Sequence, residues 1–160
     1  MKRIDFPQEH KTVGELLDEF NRIEKFIAFH IVSYVSPPPE KYGYVYNLML
    51  HNSIIPFGAK LKLLLALVRE TNGPKIVRDD FHKLVNLRNA FAHGYMAPRV
   101  RRRGGTSSTD SEETYLVVET LASDGSFIEV ANEKAIEDFR ELLKRTNAQL
   151  KALQKHLRKL

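Results

Sequence analysis

The chain has 160 residues, no cysteine and a formal net charge of +5, and its length accommodates one domain with a hydrophobic core. The missing cysteines exclude a disulfide scaffold, Cys-ligated zinc and a thiol nucleophile, and they fit a cytoplasmic protein. No segment approaches the roughly 18–20 apolar residues that a membrane span needs, so we expect no membrane segment, and the basic charge permits a polyanionic partner without establishing one.

The first predicted helix extends from Thr12 to Val35. Thr12 and Glu15 have the spacing of a capping box, which satisfies free amide groups of the first turn. Ser36 and the three prolines after it end the helix, because proline has no amide hydrogen to donate. His30 lies beside the apolar stripe, and we interpret it as a packed histidine rather than a ligand. The stripe itself recurs at helical spacing: Leu16, Phe20, Ile23, Ile27, Ile31 and Tyr34.

Two further helices are predicted, from Glu40 to Asn52 and from Pro56 to Thr71. The first carries three tyrosines: Tyr42, Tyr44 and Tyr46. These rings could stack on nucleic-acid bases, although tyrosines on an amphipathic helix more often pack against a core. The second helix is predicted to direct four apolar residues inward: Leu61, Leu64, Leu65 and Val68. It is predicted to direct three basic residues outward: Lys60, Lys62 and Arg69.

The stretch from Arg78 to Gly94 is predicted to be a helix, with sequence signals for both its start and its end. Two acids follow Arg78, where the helix dipole favours negative charge, and a glycine ends the pattern. The apolar stripe consists of Phe81, Leu84, Val85, Phe91 and Ala92. At about 100° per residue, Arg88 falls near the centre of this stripe, where a leucine is expected. Because arginine is almost never buried unpaired, Arg88 needs a carboxylate, carbonyl groups or a ligand phosphate.

The sequence leaves the partner of Arg88 open. Glu19 and Glu24 flank the stripe of the first helix and are the best candidates to pair with Arg88, although both could equally be solvated. In that structural interpretation, His93 caps the end of its own helix. Asn89 and His93 are separated by one helical turn and share a neighbouring face. His93 lies in the last turn, where the helix dipole favours its protonated form.

The six residues from Arg88 to His93, RNAFAH, resemble the motif of the HEPN superfamily, which has an arginine, a polar residue and then a histidine at this spacing. The segments IPFGAKLKLLLALVRE and DDFHKLVNLRNAFAHG also resemble the paired helices of HEPN-like proteins related to the mannitol operon repressor. The resemblance covers the chain well from about Lys11 to Gly94, and it covers the last helix loosely. It implies a small all-α domain of a kind found in bacterial toxins and defence systems, many of which are metal-independent ribonucleases.

The resemblance further implies a composite site at the two-fold interface of a homodimer, with Arg88 and His93 catalytic and Asn89 orienting or supporting them. Histidine suits proton exchange near neutral pH, and the planar guanidinium of arginine matches phosphate oxygens. On one ideal helix the Arg88 and His93 side chains point roughly 140° apart, which two neighbouring helices would overcome. The resemblance also suggests an antitoxin as partner, and it includes relatives that regulate rather than cleave.

Residues 95–113 are predicted to form a mobile loop that is basic at its start and acidic at its end. Its basic part contains Arg99, Arg101, Arg102 and Arg103. In one interpretation these arginines gather RNA phosphates near His93. In the other, the loop is exposed and solubilising, and is partly closed by its own acids.

Residues 114–130 are predicted to form a β-hairpin with its turn at Asp124-Gly125. Asn132 is placed to cap the last helix. That helix runs to the end of the chain with an apolar side: Ile136, Phe139, Leu142, Leu143, Leu150, Leu153 and Leu157.

The predicted fold is therefore all-α: one HEPN-like antiparallel bundle of about five helices with a β-hairpin inserted before the last helix. Two functions follow from the resemblance. The first is a metal-independent endoribonuclease that serves as a toxin or defence component. The second is a non-catalytic regulatory module that contacts protein or nucleic acid. The sequence contains no P-loop, HExxH or GxSxG motif and no convincing metal-ligand pair among its six histidines, so we expect no metal and no cofactor.

Overall fold

The computed structural model describes residues 6–103, 111–121 and 127–160. Within these ranges the five α-helices are α1 (Phe6–Val35), α2 (Pro39–Gly43), α3 (Phe57–Glu70), α4 (Arg78–His93) and α5 (Asn132–Leu157). The strands β1 (Tyr95–Arg103), β2 (Ser111–Leu121) and β3 (Phe127–Ala131) form one antiparallel sheet in this order. The prediction of a mainly helical fold with a β insertion before the last helix is confirmed at this level. None of the helices in the described ranges is long and apolar enough to cross a bilayer.

Helix α1 begins earlier than the sequence pattern predicted. It starts at Phe6, and Pro7 lies in its first turn, where a residue without an amide hydrogen is tolerated. Thr12 is therefore inside the helix, and its hydroxyl donates to the carbonyl of Gln8 (3.0 Å). The predicted capping box at Thr12 and Glu15 is wrong.

The segment between α1 and α3 differs from the single helix that the sequence predicted. Ser36 ends α1 in the left-handed region, with φ 47°, and its amide donates to the carbonyl of Val32 (2.8 Å). After α2 the chain continues as a π-helix, Tyr44–Met49. The rings of Tyr42 and Tyr46 stack on each other with their centroids 6.0 Å apart. π-Helical turns are rare, and they often lie beside functional sites.

The sheet has three strands, whereas the sequence predicted two. Residues 95–103, predicted as part of a mobile loop, form β1 and pair with β2 along their whole length. β1 is an edge strand, and it therefore accommodates Pro98, which has no amide hydrogen for a second neighbour. Residues 104–110 of the predicted loop and the predicted turn at Asp124-Gly125 lie outside the described residues.

The chain divides into two compact units, and the first contains the residues before Glu19 together with Lys83–Glu141. The ring of Phe91 stacks on that of Phe139 in this unit, with centroids 5.7 Å apart and planes 15° apart. Ala92, predicted to lie in the same apolar stripe, is exposed. The buried apolar side chains of the first unit are Val13, Leu16, Leu84, Ala97, Leu116, Val117, Val118, Ala135, Ile136 and Phe139.

The second unit consists of Glu19–His82 and Leu142–Leu160. Asp80 is buried in it with 3% of its surface exposed, and its carboxylate accepts hydrogen bonds from Arg145 and from the amide of Gln149 (2.9 Å). These bonds provide the partners that a buried carboxylate requires. The apolar core of this unit is formed by Phe20, Ile23, Ile27, Ala28, Ile31, Val32, Leu50, Leu61, Leu64, Leu67, Ile76, Phe81, Leu142, Leu143, Leu150 and Leu153.

His30 is fully buried in the second unit, which confirms its prediction as a packed histidine. Its Nδ1 lies 2.6 Å from the carbonyl oxygen of Phe26, and its Nε2 lies 3.1 Å from that of Leu150. Burial lowers the pKa of His30 below its ordinary value of 6.5, against the opposing effect of the two carbonyls. A neutral imidazole has one N–H and can donate to one of these carbonyls only.

We expect this histidine to make the stability of the protein depend on pH. Below pH 6.5 the unfolded chain protonates His30 while the folded chain does not, so the unfolded state binds more protons. The contribution of His30 to stability is therefore complete above pH 6.5 and is lost as the pH falls towards the lower pKa of the folded state. The slope is at most about 1.4 kcal/mol per pH unit.

Urea unfolding between pH 5 and 8 of wild type and His30→Gln tests this expectation. Carboxylates titrate in both proteins, so the difference between the two curves isolates the histidine. The wild type is expected to lose more stability than the variant as the pH falls below 6.5. Parallel curves would show that the pKa of His30 is the same in the folded and unfolded states, and the exposed His82→Gln is the matched control.

Candidate functional site

The three motif residues lie in the last two turns of α4. Arg88 is half-buried, whereas Asn89 and His93 are exposed. The guanidinium of Arg88 donates from Nη1 to the side-chain oxygen of Asn89 (3.0 Å). Asn89 thus contacts Arg88 directly, and the supporting role that the resemblance implies for it stays a prediction.

Glu19 and Glu24 were the predicted candidates to pair with Arg88, and each has another partner. Glu24 accepts from Lys60 (2.9 Å) and from the side-chain amide of Asn52. Glu19 pairs with Arg22 one turn along α1. An additional pairing of either carboxylate with Arg88 stays a prediction.

Gly94 connects the motif to the sheet without space for a side chain. Its amide donates to the carbonyl of Ala90 (2.7 Å), which closes the end of α4. A Cβ atom at this position would lie 2.2 Å from the Ala90 oxygen and 2.8 Å from the carbonyl oxygen of Glu119 in β2. Glycine therefore allows the chain to pass from α4 into β1 directly after His93. The close packing at Gly94 also fixes the position at which the His93 side chain leaves α4.

Arg99 is held by acids of the sheet. Its guanidinium donates to Glu129 (3.0 Å) and also pairs with Glu119. The hydrogen bond to Glu129, assisted by the charges of both carboxylates, raises the pKa of Arg99 further above its ordinary value. Arg99 therefore lies in a paired strand and not in the predicted mobile loop, and phosphate binding by it stays a prediction.

The other three arginines of the predicted arm, Arg101, Arg102 and Arg103, belong to β1 by their backbone. In the β1–β2 register, Arg101 lies opposite Glu113 and Arg102 opposite Glu112. Their side chains lie outside the described part of the structure, and phosphate binding by them stays a prediction.

A second polar cluster, in the second unit, was missed by the sequence analysis. Lys60 was predicted to point outward, but only 3% of its surface is exposed. Its ammonium donates to Glu24 (2.9 Å) and to the side-chain oxygen of Asn52 (2.8 Å). Lys60 lies one turn before the buried Leu64 on α3, and this position on the apolar face was the signal that could have identified it.

The Lys60–Glu24 pair lines a cavity of about 250 Å³. The buried residues of its lining are Glu24, Ala28, Leu50 and Lys60, and the more exposed ones are Asn21, Lys25, Tyr46, Asn47, His51 and Asn52. One wall therefore comes from the π-helix, which contains Tyr46 and Asn47. The cavity combines apolar walls with several hydrogen-bonding groups, as small-molecule sites do.

Another arginine–histidine pair lies at the beginning of α4. The Nε of Arg78 donates to the Nε2 of His82 (2.8 Å), and both residues are exposed. This pair lacks the intervening sequence of the motif, and it provides a matched comparison on the same helix for Arg88 and His93.

Among the residues that the structure describes, no group of three or more His, Cys, Asp or Glu side chains is arranged to hold a metal ion. Comparison of the chain with protein-family models, curated proteins and solved structures finds no match. The HEPN resemblance thus rests on the α4 motif and the segments around it.

Proposed function

We propose that this protein is a metal-independent endoribonuclease of the HEPN type, in which Arg88 binds the reacting phosphate and His93 exchanges the proton. The observation that carries the proposal is the placement of the motif: Asn89 and His93 are exposed, and Asn89 contacts the guanidinium of Arg88. A large substrate such as RNA can reach side chains at the exposed end of a helix, whereas a buried structural motif would be closed to it.

The proposed reaction is attack of a ribose 2′-oxygen on its own 3′-phosphate. The bond between the 2′-oxygen and phosphorus forms, the bond to the 5′-oxygen of the next nucleotide breaks, and the products are a 2′,3′-cyclic phosphate and a 5′-hydroxyl. One group removes the 2′ proton and one protonates the leaving oxygen, which is chemistry suited to histidine near neutral pH. The fixed charge of Arg88 stabilises the developing negative charge on the phosphate.

The proposal includes a homodimer. Arg88 and His93 are five residues apart on one helix, so they point in different directions. Two copies of α4 side by side would place the arginine of one near the histidine of the other and would provide two histidines for the two proton transfers. A cytoplasmic toxin or defence component of this type would be held inactive by an antitoxin that covers the exposed end of α4.

Variants of α4 test the proposal against matched controls on the same helix. We expect His93→Ala and Arg88→Ala each to reduce cleavage of single-stranded RNA by at least about 100-fold, the usual effect of removing a general acid–base group or a charge-stabilising group. Asn89→Ala is expected to have a smaller effect, because the residue supports Arg88 through a hydrogen bond. His82→Ala and Arg78→Ala are expected to cleave like the wild type.

Initial rates at several pH values, with circular dichroism and light scattering to verify the fold and the oligomeric state, provide the measurement. Equal losses in His93→Ala and His82→Ala would contradict the proposal. An RNA in which a 2′-deoxy nucleotide replaces the cleaved position is expected to resist cleavage, because it lacks the attacking hydroxyl.

A second candidate function is a non-catalytic regulatory or binding module. One observation favours it: exposed apolar side chains of α1 and α3 surround a groove of about 270 Å³ in the second unit. Tyr34, Val35 and Leu63 are the large apolar residues exposed in this lining, which also contains exposed Ala66 and Glu70. Contiguous exposed apolar surface often marks contact with another protein. Well-folded wild type that binds a partner and leaves RNA intact would favour this candidate.

A further inference from the structure

A buried charged pair lines the cavity beside Lys60. Lys60 and Glu24 are almost completely buried, and Asn52 contacts both of them. Burying two charges costs desolvation free energy, and well-packed apolar residues of similar volume often give equal or greater stability. A buried ion pair that lines an open cavity, instead of being enclosed in the core, is therefore a candidate for ligand binding.

The two buried charges of the cavity favour a ligand group without net charge, and the further charge of the lining belongs to the exposed Lys25. The ammonium of Lys60 is balanced by the carboxylate of Glu24 at 2.9 Å. An anionic ligand would compete with Glu24 for Lys60, and a cationic ligand would compete with Lys60 for Glu24. A neutral molecule leaves this pair intact and can still use its remaining donor and acceptor positions.

The exposed lining offers hydrogen-bond donors and acceptors at several positions. The amides of Asn21 and Asn47 each provide both functions. The Nδ1 of His51 lies 2.8 Å from the hydroxyl oxygen of Ser53 and 3.3 Å from its backbone nitrogen, so Nε2 is the ring nitrogen that a ligand can use. These lining residues can therefore bind both donors and acceptors of a polar ligand edge.

The apolar part of the lining includes an aromatic ring. Ala28 and Leu50 are buried in the cavity wall, and the ring of Tyr46 is held against that of Tyr42. Burial raises the pKa of Tyr46 above its ordinary value of 10.0. The volume of about 250 Å³ is below the roughly 300–1,000 Å³ of sites for drug-sized ligands. A ligand with a flat apolar face and one ring system fits these properties.

We propose that the cavity lined by Glu24, Tyr46, Asn47, Leu50 and Lys60 binds a nucleobase. A base is neutral and flat, and its edge carries donors and acceptors that asparagine side chains recognise in other proteins. Proteins that bind single-stranded RNA stack unpaired bases on aromatic rings and read their edges by hydrogen bonds. The π-helix brings Tyr46 and Asn47 to the cavity. π-Helical turns often lie at functional sites, which agrees with a binding site here.

Calorimetric titration of the full chain with the four ribonucleosides tests this inference, with glucose as a probe that forms hydrogen bonds and lacks an aromatic ring. At least one nucleoside is expected to bind, at least tenfold more tightly than glucose. Asn47→Ala is expected to weaken that binding by at least tenfold. Asn47 is exposed, so this variant keeps the core unchanged, and Asn86→Ala, at an exposed position of α4, is the control with unchanged affinity.

The double variant Glu24→Gln with Lys60→Met tests the buried charged pair that lines the cavity. It is also expected to weaken binding by at least tenfold. Competition with a single-stranded RNA hexamer distinguishes the two sources of the base: displacement of the nucleoside indicates a base within a strand, and no displacement indicates a free nucleoside. Binding of no nucleoside up to about 1 mM, equal binding of glucose, or unchanged affinity in both Asn47→Ala and the double variant would overturn the inference. Because the readout is binding, its failure leaves the proposed cleavage unaffected.

Discussion

Lys60→Met is expected to lower the free energy of unfolding by about 3–5 kcal/mol, the usual cost of leaving a buried charge without its partner. Glu24 would stay buried at 6% exposure and would retain only the side-chain amide of Asn52. Urea unfolding followed by circular dichroism measures the change. Lys62→Met is the matched control on the same helix, because Lys62 is exposed, and it is expected to change the stability by less than about 0.5 kcal/mol.

The double variant of Lys60→Met with Glu24→Gln separates the charge from the shape of the cluster. It removes both charges together, so we expect most of the stability lost in Lys60→Met to return. A Lys60→Met variant as stable as Lys62→Met would show that Lys60 is not a buried partner of Glu24. A double variant as unstable as Lys60→Met would show that packing of the lysine, and not its charge, is what the fold needs.

Gly94→Ala is expected to destabilise the first unit by about 1–3 kcal/mol or more, the range for a side chain forced into a packed space. The new Cβ would meet two backbone oxygens, 2.2 Å from Ala90 and 2.8 Å from Glu119, and backbone atoms cannot move away as a flexible side chain can. Because Gly94 directly follows His93, any shift that relieves the contact also moves the motif. RNA cleavage is therefore expected to fall together with stability.

Two other glycines provide the control for Gly94. At Gly14 in α1 and Gly58 in α3, an added Cβ would have no atom within 4 Å, and alanine is the better helix former by about 1 kcal/mol. Gly14→Ala and Gly58→Ala are thus expected to keep or raise the melting temperature. A Gly94→Ala variant with the same melting temperature as these two variants would contradict the close packing at the junction between α4 and β1.

The long helices could be predicted because apolar residues repeat along them with the helical period. Phe81 and Leu84 in α4 and Phe139 in α5 are buried as this pattern predicted. The same pattern failed for Lys60, because it treats a lysine as a surface residue and contains no information on a distant carboxylate such as Glu24. Periodicity identifies a buried face, and long-range partners decide which polar residues that face accepts.

Strand β1 could not be predicted, because the pattern of a strand is absent from its sequence. Pro98 and the run of arginines lack the alternation of apolar and polar residues, and they were interpreted as a loop. Pairing with β2 along the whole strand defines β1, and this long-range pairing cannot be read from the residues of β1 alone. The predicted start of α1 was also wrong. Thr12 and Glu15 match the sequence pattern of a capping box, but they lie inside a helix that begins at Phe6.

The motif of α4 could be located from the sequence, while its immediate contacts could not. Arg88 was predicted to need a carboxylate, carbonyl groups or a ligand phosphate, with Glu19 and Glu24 as candidates. It is half-buried beside Asn89. A helical wheel gives the direction of a side chain and cannot give its partner. The Asn89 contact became visible only with the positions of the side-chain atoms.

Cleavage of a mixed RNA pool in EDTA, by purified wild type and by His93→Ala, is the most direct test of the proposed ribonuclease. The wild type is expected to cleave the RNA without a divalent metal and to leave 2′,3′-cyclic phosphate ends. His93→Ala, with its fold and oligomeric state intact, is expected to leave the RNA uncut. Cleavage that persists unchanged in His93→Ala, or a well-folded wild type that leaves every RNA in the pool intact, would show that α4 does not carry the proposed activity.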